Sequence, residues 1–153
     1  YRIGAIITNE SRLAEIEKFL DATTICPSQV GQFGALWGLR NLAEWVSGKR
    51  TEIFKRRMHF INEFEILKKS GWRLLGIGSY FAYVFHPFKE SSHLVCESLA
   101  KKYGILALPG SMFNPKEYNE GKKHIRIAFA NINCNEIDKL LERLSKFRGE
   151  LAS

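Results

Sequence analysis

The sequence predicts a mixed α/β fold, and the pattern of its apolar residues is the reason. Short runs with the two-residue period of a β-strand alternate along the chain with longer runs that repeat apolar residues every three or four positions, as helices do. The 153 residues are 45% hydrophobic and 25% charged, the composition of a soluble globular protein large enough for one core. The order of the elements fits either an α/β or an α+β arrangement.

The first two predicted elements are a strand and a helix. Residues 2–8 (RIGAIIT) are rich in isoleucine, and we predict a central strand there. The sequence does not begin with methionine, and a strand at its start would lack partners, so we expect a longer polypeptide whose sheet these residues complete. Residues 9–20 place apolar residues at helical spacing behind a cap-like Asn9 or Ser11, which predicts a helix.

Two long helices are predicted next. Residues 26–48 begin with Pro27 and Ser28, which suit a helix start, and end at Gly48, which suits a C-cap. Three glycines inside this helix indicate that another backbone approaches closely: Gly31, Gly34 and Gly38. Residues 49–71 form the second helix. Its predicted core stripe has four apolar residues: Ile53, Phe60, Phe64 and Leu67.

The rest of the chain alternates strands with helices. One predicted strand is stopped by Pro87, and one predicted helix runs from a cap at Ser91 or Ser92 to a stop at Gly104. The predicted strands are 79–88, 105–113 and 124–130, the predicted helices are 91–104 and 133–150, and a polar loop is expected at 115–123.

The net charge of the chain indicates which kinds of partner it is expected to bind. A net charge of +7 and a pI near 9.4 favour anionic partners. Residues 49–57 are basic, but glutamates dilute the charge further along, so we interpret this stretch as a solvated helix face. No nucleic-acid partner is therefore expected, because that alternative rests on charge alone.

Three widely spaced cysteines indicate free thiols and a cytoplasmic protein: Cys26, Cys96 and Cys134. The four histidines have no partner at the spacing of metal ligands, so no metal site is expected. There is no signal-peptide pattern and no apolar run long enough to cross a bilayer, so no membrane association is expected.

The strand at 124–130 contains the most informative single residue. Its core face consists of Ile125, Ile127 and Phe129. Arg126 lies on the other face beside Ala128 and Ala130, which leave space next to a permanent charge. A fork-shaped guanidinium above small residues suits a planar carboxylate bound by two parallel hydrogen bonds. A strand face that meets only water is the alternative.

Three motifs in order resemble the C-terminal part of class I/II aminotransferases, the fold-type I enzymes that depend on pyridoxal phosphate. They are YRIG at the start, ALPGSMF ending at Phe113, and IRIAFAN at 125–131. The resemblance covers essentially the whole chain. It implies that residues 1–47 close the large cofactor domain and that residues 48–153 form the small α+β domain.

The resemblance also implies roles for individual residues. Arg2, beside Gly4, matches the arginine that binds the phosphate of pyridoxal 5'-phosphate, and Arg126 matches the arginine that pairs with the substrate α-carboxylate. Four further residues are weaker substrate-binding candidates: Tyr80 and Phe81 as walls of the side-chain pocket, and Ser111 and Phe113 in a loop near the substrate entrance.

The catalytic residue itself is expected elsewhere. In the family the Schiff-base lysine lies a few residues before the arginine that Arg2 matches, so we expect it upstream of Tyr1 and expect this chain alone to be inactive. The intact enzyme would be a homodimer acting on an amino acid and a 2-oxo acid. Two alternatives stay open: a lyase on the same scaffold, and a non-catalytic module that binds a carboxylate ligand or a partner chain.

Overall fold

The structure, a computed structural model, describes residues 2–115, 117 and 119–149 and divides into two compact units. The units are Tyr1–Lys49 and Arg50–Ser153. The division falls within the third helix, so that helix contributes residues to both units.

The first unit contains two helices and the start of a third. They are α1 (Glu10–Thr23), α2 (Gln29–Asn41) and α3 (Ala43–Glu63). The cap predicted for α1 is confirmed at Asn9, whose side chain accepts a hydrogen bond from the backbone N–H of Arg12 at 3.1 Å. No residue of α1 is buried, so its apolar stripe meets no core within the described part of the chain.

Two sequence predictions for this unit are wrong. Residues 2–8 form no strand, because no described strand pairs with their backbone groups. The helix predicted at 26–48 breaks at Leu42, whose backbone is outside the helical region, and α3 then continues through Gly48. Gly48 does not adopt the positive φ of a glycine C-cap, so it does not end the helix.

The second unit is a four-stranded antiparallel sheet with helices on one side. The helices are α4 (Glu65–Lys68), α5 (Ser92–Tyr103) and α6 (Cys134–Ser145), together with the later turns of α3. The strands are β1 (Arg73–Gly78), β2 (Phe81–Phe85), β3 (Leu108–Pro109) and β4 (His124–Ala128), in the order β1-β2-β4-β3. Strand β1 was not predicted from the sequence. Two short 3₁₀ helices, Gly110–Met112 and Asn119–Lys123, lie in the segment between β3 and β4.

The core of this unit follows the predicted alternation. In β4 the predicted inward residues are buried, and the predicted helix stripe contacts the same cluster. Ser91 precedes α5 at the predicted position, but its side chain makes no capping hydrogen bond. The predicted stop at Gly104, with φ of 64°, is observed. Burial of each large apolar side chain contributes roughly 1.5–3 kcal/mol. The most buried core residues are Phe60, Phe64, Leu67, Trp72, Ala82, Val84, Val95, Leu99, Ile125, Phe129, Ile137, Leu141 and Leu144.

Two glycines hold the segment between β3 and β4 against the sheet. A side-chain carbon on Gly110 would lie 2.6 Å from Cβ of His124 and 2.7 Å from the hydroxyl oxygen of Tyr83. A side-chain carbon on Gly121 would lie 2.8 Å from the carbonyl oxygen of Gly110. The buried hydroxyl of Ser92 donates to the carbonyl of Gly121 at 2.9 Å. Only glycine allows these backbones to approach so closely, which fixes the Pro-Gly turn predicted from the sequence.

His86 is a fully buried histidine at the end of β2. Its Nε2 atom lies 3.2 Å from the carbonyl oxygen of Lys122, and its ring lies among the rings of Trp72, Phe85 and Phe88. Burial lowers the pKa of His86 to about 4. The ring is therefore neutral in the folded protein at neutral pH.

This environment predicts an acid-sensitive unit. Between pH 6.5 and 4 the unfolded chain binds a proton at His86 that the folded chain does not bind, so the free energy of unfolding falls as the pH is lowered. From pH 7 to 4, the wild type should lose roughly 1–3 kcal/mol more than a His86→Gln variant. Urea unfolding followed by Trp72 fluorescence, with Trp37 and Trp45 replaced by phenylalanine, measures the difference. The exposed His93→Gln variant is the control and should follow the wild type. Parallel pH profiles for the wild type and His86→Gln would contradict the assignment.

The close backbone approach at Gly110 gives a second prediction. Gly110→Ala should lower the free energy of unfolding by about 1–3 kcal/mol, because the added methyl group overlaps His124 and Tyr83. Gly76→Ala on β1 is the matched control, since a side-chain carbon there meets no atom within 4 Å, and it should change stability by no more than about 0.5 kcal/mol. Urea unfolding measures both. Equal stabilities for the two variants would show that the turn does not depend on this close approach.

Candidate functional site

The candidate site lies on the face of the sheet that points away from the core, here called the outer face. It carries Phe81, Tyr83 and Phe85 from β2 and His124, Arg126 and Ala128 from β4. In the antiparallel register, Arg126 is paired with Tyr83 on one side and with Leu108 on the other. The strand period predicted this face for Arg126, and the structure places it there.

Two phenylalanine rings cover the Arg126 guanidinium. Its central carbon lies 4.2 Å from the ring centroid of Phe81 and 4.2 Å from the ring centroid of Phe113. Among the described residues there is no ring contact between Phe81 and Phe113, so each ring contacts the guanidinium separately. Each such cation–π contact stabilises the position of the guanidinium by about 0.5–2 kcal/mol, depending on its exposure to water.

The register explains why Phe81 reaches Arg126. Phe81 is paired with Ala128, two residues beyond Arg126 on the same face of β4. A methyl group at position 128 leaves room for the ring to lie diagonally across the strand. The space that the sequence indicated beside Arg126 is thus occupied in part by an aromatic ring.

Phe113 lies in the turn after β3, whose position depends on the close approach at Gly110 and Gly121. It follows the 3₁₀ helix Gly110–Met112, and its backbone N–H donates to the carbonyl of Gly110 at 2.9 Å. Because Gly110 rests on Tyr83 and His124, the turn is anchored to the same two strands that carry Arg126. Ser111 lies in this turn with an exposed side chain.

The guanidinium of Arg126 has no polar partner in the described part of the chain. No carboxylate or carbonyl group among residues 2–115, 117 and 119–149 hydrogen-bonds to it, and none forms an ion pair with it. Its nitrogen atoms are not sealed from solvent. A half-buried arginine with its N–H groups available can bind an anion, and its geometry favours a carboxylate.

The neighbouring titratable groups are neutral at pH 7. Burial raises the pKa of the Tyr83 hydroxyl and lowers the pKa of His124. Their rings lie 5.1 Å apart. A second guanidinium, that of Arg73, stacks on Phe85 at 4.1 Å, on the strand edge away from Arg126. The permanent charge beside the two phenylalanine rings is therefore that of Arg126.

Two other predicted site residues are exposed: Tyr80 in the second unit and Arg2 in the first. Tyr80 is exposed in the turn between β1 and β2, and its ring stands edge-on to the ring of Phe81 with centroids 6.4 Å apart. Arg2 belongs to the first unit, where its side chain is exposed and its φ of 54° is unusual for a residue other than glycine. A side-chain carbon on the nearby Gly4 would have no atom within 4 Å.

The contacts that support the site were not predicted from the sequence. Phe81 was expected as a wall of the side-chain pocket and Phe113 in a loop near the substrate entrance, but nothing in the sequence indicated that both contact Arg126, because their contacts depend on strand register and on a turn. Tyr83 and His124 were missed for the same reason. The period of two in β2 could have placed Tyr83 on the outer face with Phe81.

Two further features are absent from the described residues. They contain no cluster of three metal-ligating side chains. None of the described helices is both long enough and apolar enough to span a membrane.

Comparison with known proteins gives consistent matches. Residues 1–144 match the family "aminotransferase class I and II". The chain is 29% identical to the (5-formylfuran-3-yl)methyl phosphate transaminase of Methanocaldococcus jannaschii and 28% identical to the aspartate aminotransferase of Thermotoga maritima. Each match covers 96% of this chain but only 38% and 35% of the respective relative. The structure of an aminotransferase from Staphylococcus aureus has a TM-score of 0.68 at 19% identity, over 92% of this chain and 35% of that one.

The predicted fold class is confirmed by these comparisons, since the mixed α/β structure resembles part of the fold-type I aminotransferases. The chain spans little more than a third of the length of the curated relatives that it matches. The chain belongs to the class I and II aminotransferase family and corresponds to the C-terminal part of its members.

Proposed function

We propose that this chain is the C-terminal part of a pyridoxal-phosphate-dependent aminotransferase and that Arg126 binds the α-carboxylate of the amino-acid and 2-oxo-acid substrates. The proposal rests on the environment of the Arg126 guanidinium. It is a half-buried guanidinium covered by two rings and without a polar partner in the described chain. Its location on the IRIAFAN strand of a family member supports the same role.

The cofactor-binding residue of this chain would be Arg2. Its exposed guanidinium has no acidic partner among the described residues, and the open backbone at Gly4 leaves room for a phosphate group to approach. These features fit the phosphate of pyridoxal 5'-phosphate. When bound, that cofactor supplies an electron sink for the charge that develops at the substrate α-carbon.

The role of Arg126 would be orientation. Two parallel N–H···O hydrogen bonds fix a carboxylate in the plane of the guanidinium, so the substituents on the adjacent carbon point in defined directions. Orientation of this kind converts binding energy into rate, because the bound substrate is already held with the reacting bond in the reactive direction. The rings of Phe81 and Phe113 lie 4.2 Å from the central guanidinium carbon, and a less polar environment there would strengthen both hydrogen bonds.

The wider assembly is part of the proposal. The Schiff-base lysine would lie in a part of the polypeptide before Tyr1, so residues 1–153 alone would be inactive. We propose a homodimer, supported by exposed apolar side chains on α2 such as Phe33 and Trp37. We propose a cytoplasmic location, supported by three cysteines that are free thiols.

The carboxylate role predicts the effect of Arg126→Lys. Lysine keeps the charge but loses the bidentate geometry, so kcat/KM for the preferred amino acid should fall about 10- to 1000-fold in the full-length polypeptide. The affinity for pyridoxal phosphate should change less than about twofold, because Arg126 does not belong to the proposed phosphate site. Steady-state kinetics and a spectroscopic cofactor titration measure the two quantities.

Arg73→Lys is the matched control for this prediction. Arg73 also stacks on a phenylalanine of β2, but it lies at the other edge of that strand. Its replacement should leave kcat/KM within about twofold of the wild type. An Arg126→Lys variant as active as Arg73→Lys would sink the proposed role.

Covalent trapping predicts where the catalytic lysine lies. After borohydride reduction with pyridoxal phosphate, the full-length polypeptide should gain one cofactor mass on a lysine outside residues 1–153. The 153-residue chain should not gain one cofactor mass per molecule. Peptide mapping by mass spectrometry measures both, and specific labelling of a lysine within residues 1–153 is the result that would refute this part of the proposal.

A further inference from the structure

The contacts of Arg126 assign a role to the two phenylalanines that differs from lining a substrate pocket. We propose that Phe81 and Phe113 are positioning residues that hold the Arg126 guanidinium between their rings and leave only its planar edge for a carboxylate. This inference rests on the proposed function of Arg126 as the carboxylate-binding residue. The rings act through Arg126 and need not touch the substrate.

The geometry supports this arrangement, here called the clamp: the rings of Phe81 and Phe113 on two sides of the Arg126 guanidinium. Both ring centroids lie 4.2 Å from the central guanidinium carbon, and the two rings do not contact each other within the described structure. A guanidinium prefers to stack on aromatic faces, and its N–H groups all lie in its own plane. With rings on two sides, the N–H groups at the open edge are the ones that an incoming anion can reach.

The two sides of the clamp come from different segments of the chain. Phe81 is fixed by the β2–β4 register, in which it is paired with the small Ala128. Phe113 is fixed by the turn after β3, whose Gly110 lies against Tyr83 and His124. The ring of Phe113 is thus held by a different part of the chain from the ring of Phe81.

The clamp has a physical benefit for binding. A free arginine side chain has several rotatable bonds, and fixing them when a ligand binds reduces the affinity. Rings that already hold the guanidinium remove most of that cost before the carboxylate arrives. Because both hydrogen bonds must form in one plane, a planar monocarboxylate is the ligand class that this edge recognises.

The test measures acetate binding to the 153-residue chain by NMR, using the Nε–Hε signal of Arg126 and the backbone amide signals of β4. The amide signals also report on Arg126→Lys, which lacks the Nε–Hε group. Acetate is the simplest planar carboxylate, and chloride at the same ionic strength is the reference for screening. The wild-type signal should carry a ring-current shift and should move saturably with acetate. Phe81→Leu and Phe113→Leu should each lose part of the ring-current shift and weaken acetate binding about two- to fivefold.

Two kinds of control separate positioning from packing. Phe81→Tyr and Phe113→Tyr retain the aromatic face and should keep both the ring-current shift and the acetate affinity. Phe54→Leu removes an exposed ring on α3, outside the outer face, and should leave acetate binding unchanged. Phe81 and Phe113 are 38% and 43% exposed, so their truncation leaves no buried cavity.

The outcomes distinguish this inference from the proposed function. If Arg126→Lys weakens acetate binding but the leucine variants bind like the wild type, the clamp is overturned and the carboxylate role stands. Tyrosine variants that lose as much affinity as the leucine variants would also overturn the clamp, because the loss would then come from altered packing. If Arg126→Lys binds acetate as tightly as the wild type, the proposed function fails and the clamp fails with it.

A second readout applies in the full-length polypeptide. The leucine variants should raise KM for the amino acid about two- to fivefold while the affinity for pyridoxal phosphate stays unchanged. Equal losses of substrate and cofactor affinity would indicate general disruption of the fold and would contradict a positioning role.

Discussion

The pairing of β2 with β4 is the constraint on which the rest of the second unit depends. This register places Phe81 across from Ala128 and Tyr83 across from Arg126, while the alternate residues of both strands enter the core. A shift of one residue would bury Arg126 and expose Ile125 and Ile127. The cost of burying an unpaired guanidinium among apolar side chains makes that shift very unfavourable. The core therefore determines where the charge lies on the outer face.

The segment between β3 and β4 adds a second layer to that face. Its position depends on the contact of Gly110 with Tyr83 and His124, and on the contact of Gly121 with Gly110. Any side chain at these two positions would push the turn away from the sheet and would take Phe113 with it. The buried Ser92 hydroxyl ties the same layer to α5. The site thus depends on backbone contacts in the segment between β3 and β4, which rests on the two strands that carry Phe81 and Arg126.

Local patterns predicted much of this structure, and non-local pairings account for what they missed. The alternation in β4, the cap of α1, the glycine stop of α5 and the stripe of Phe60, Phe64 and Leu67 are local signals that the structure confirms. Strand 2–8 failed because a strand needs a partner, which a local pattern cannot supply. Arg126 could be singled out from its small neighbours, whereas its contact with Phe81 required the register and its contact with Phe113 required the turn.

The central claim is that the open edge of Arg126 binds the substrate carboxylate. The most direct test is a crystal structure of the full-length polypeptide with pyridoxal phosphate and a non-reactive amino-acid analogue. The account predicts that both carboxylate oxygens lie about 2.7–3.0 Å from the guanidinium nitrogens of Arg126, with the rings of Phe81 and Phe113 still in place. A carboxylate bound by other residues, with Arg126 facing solvent, would contradict it.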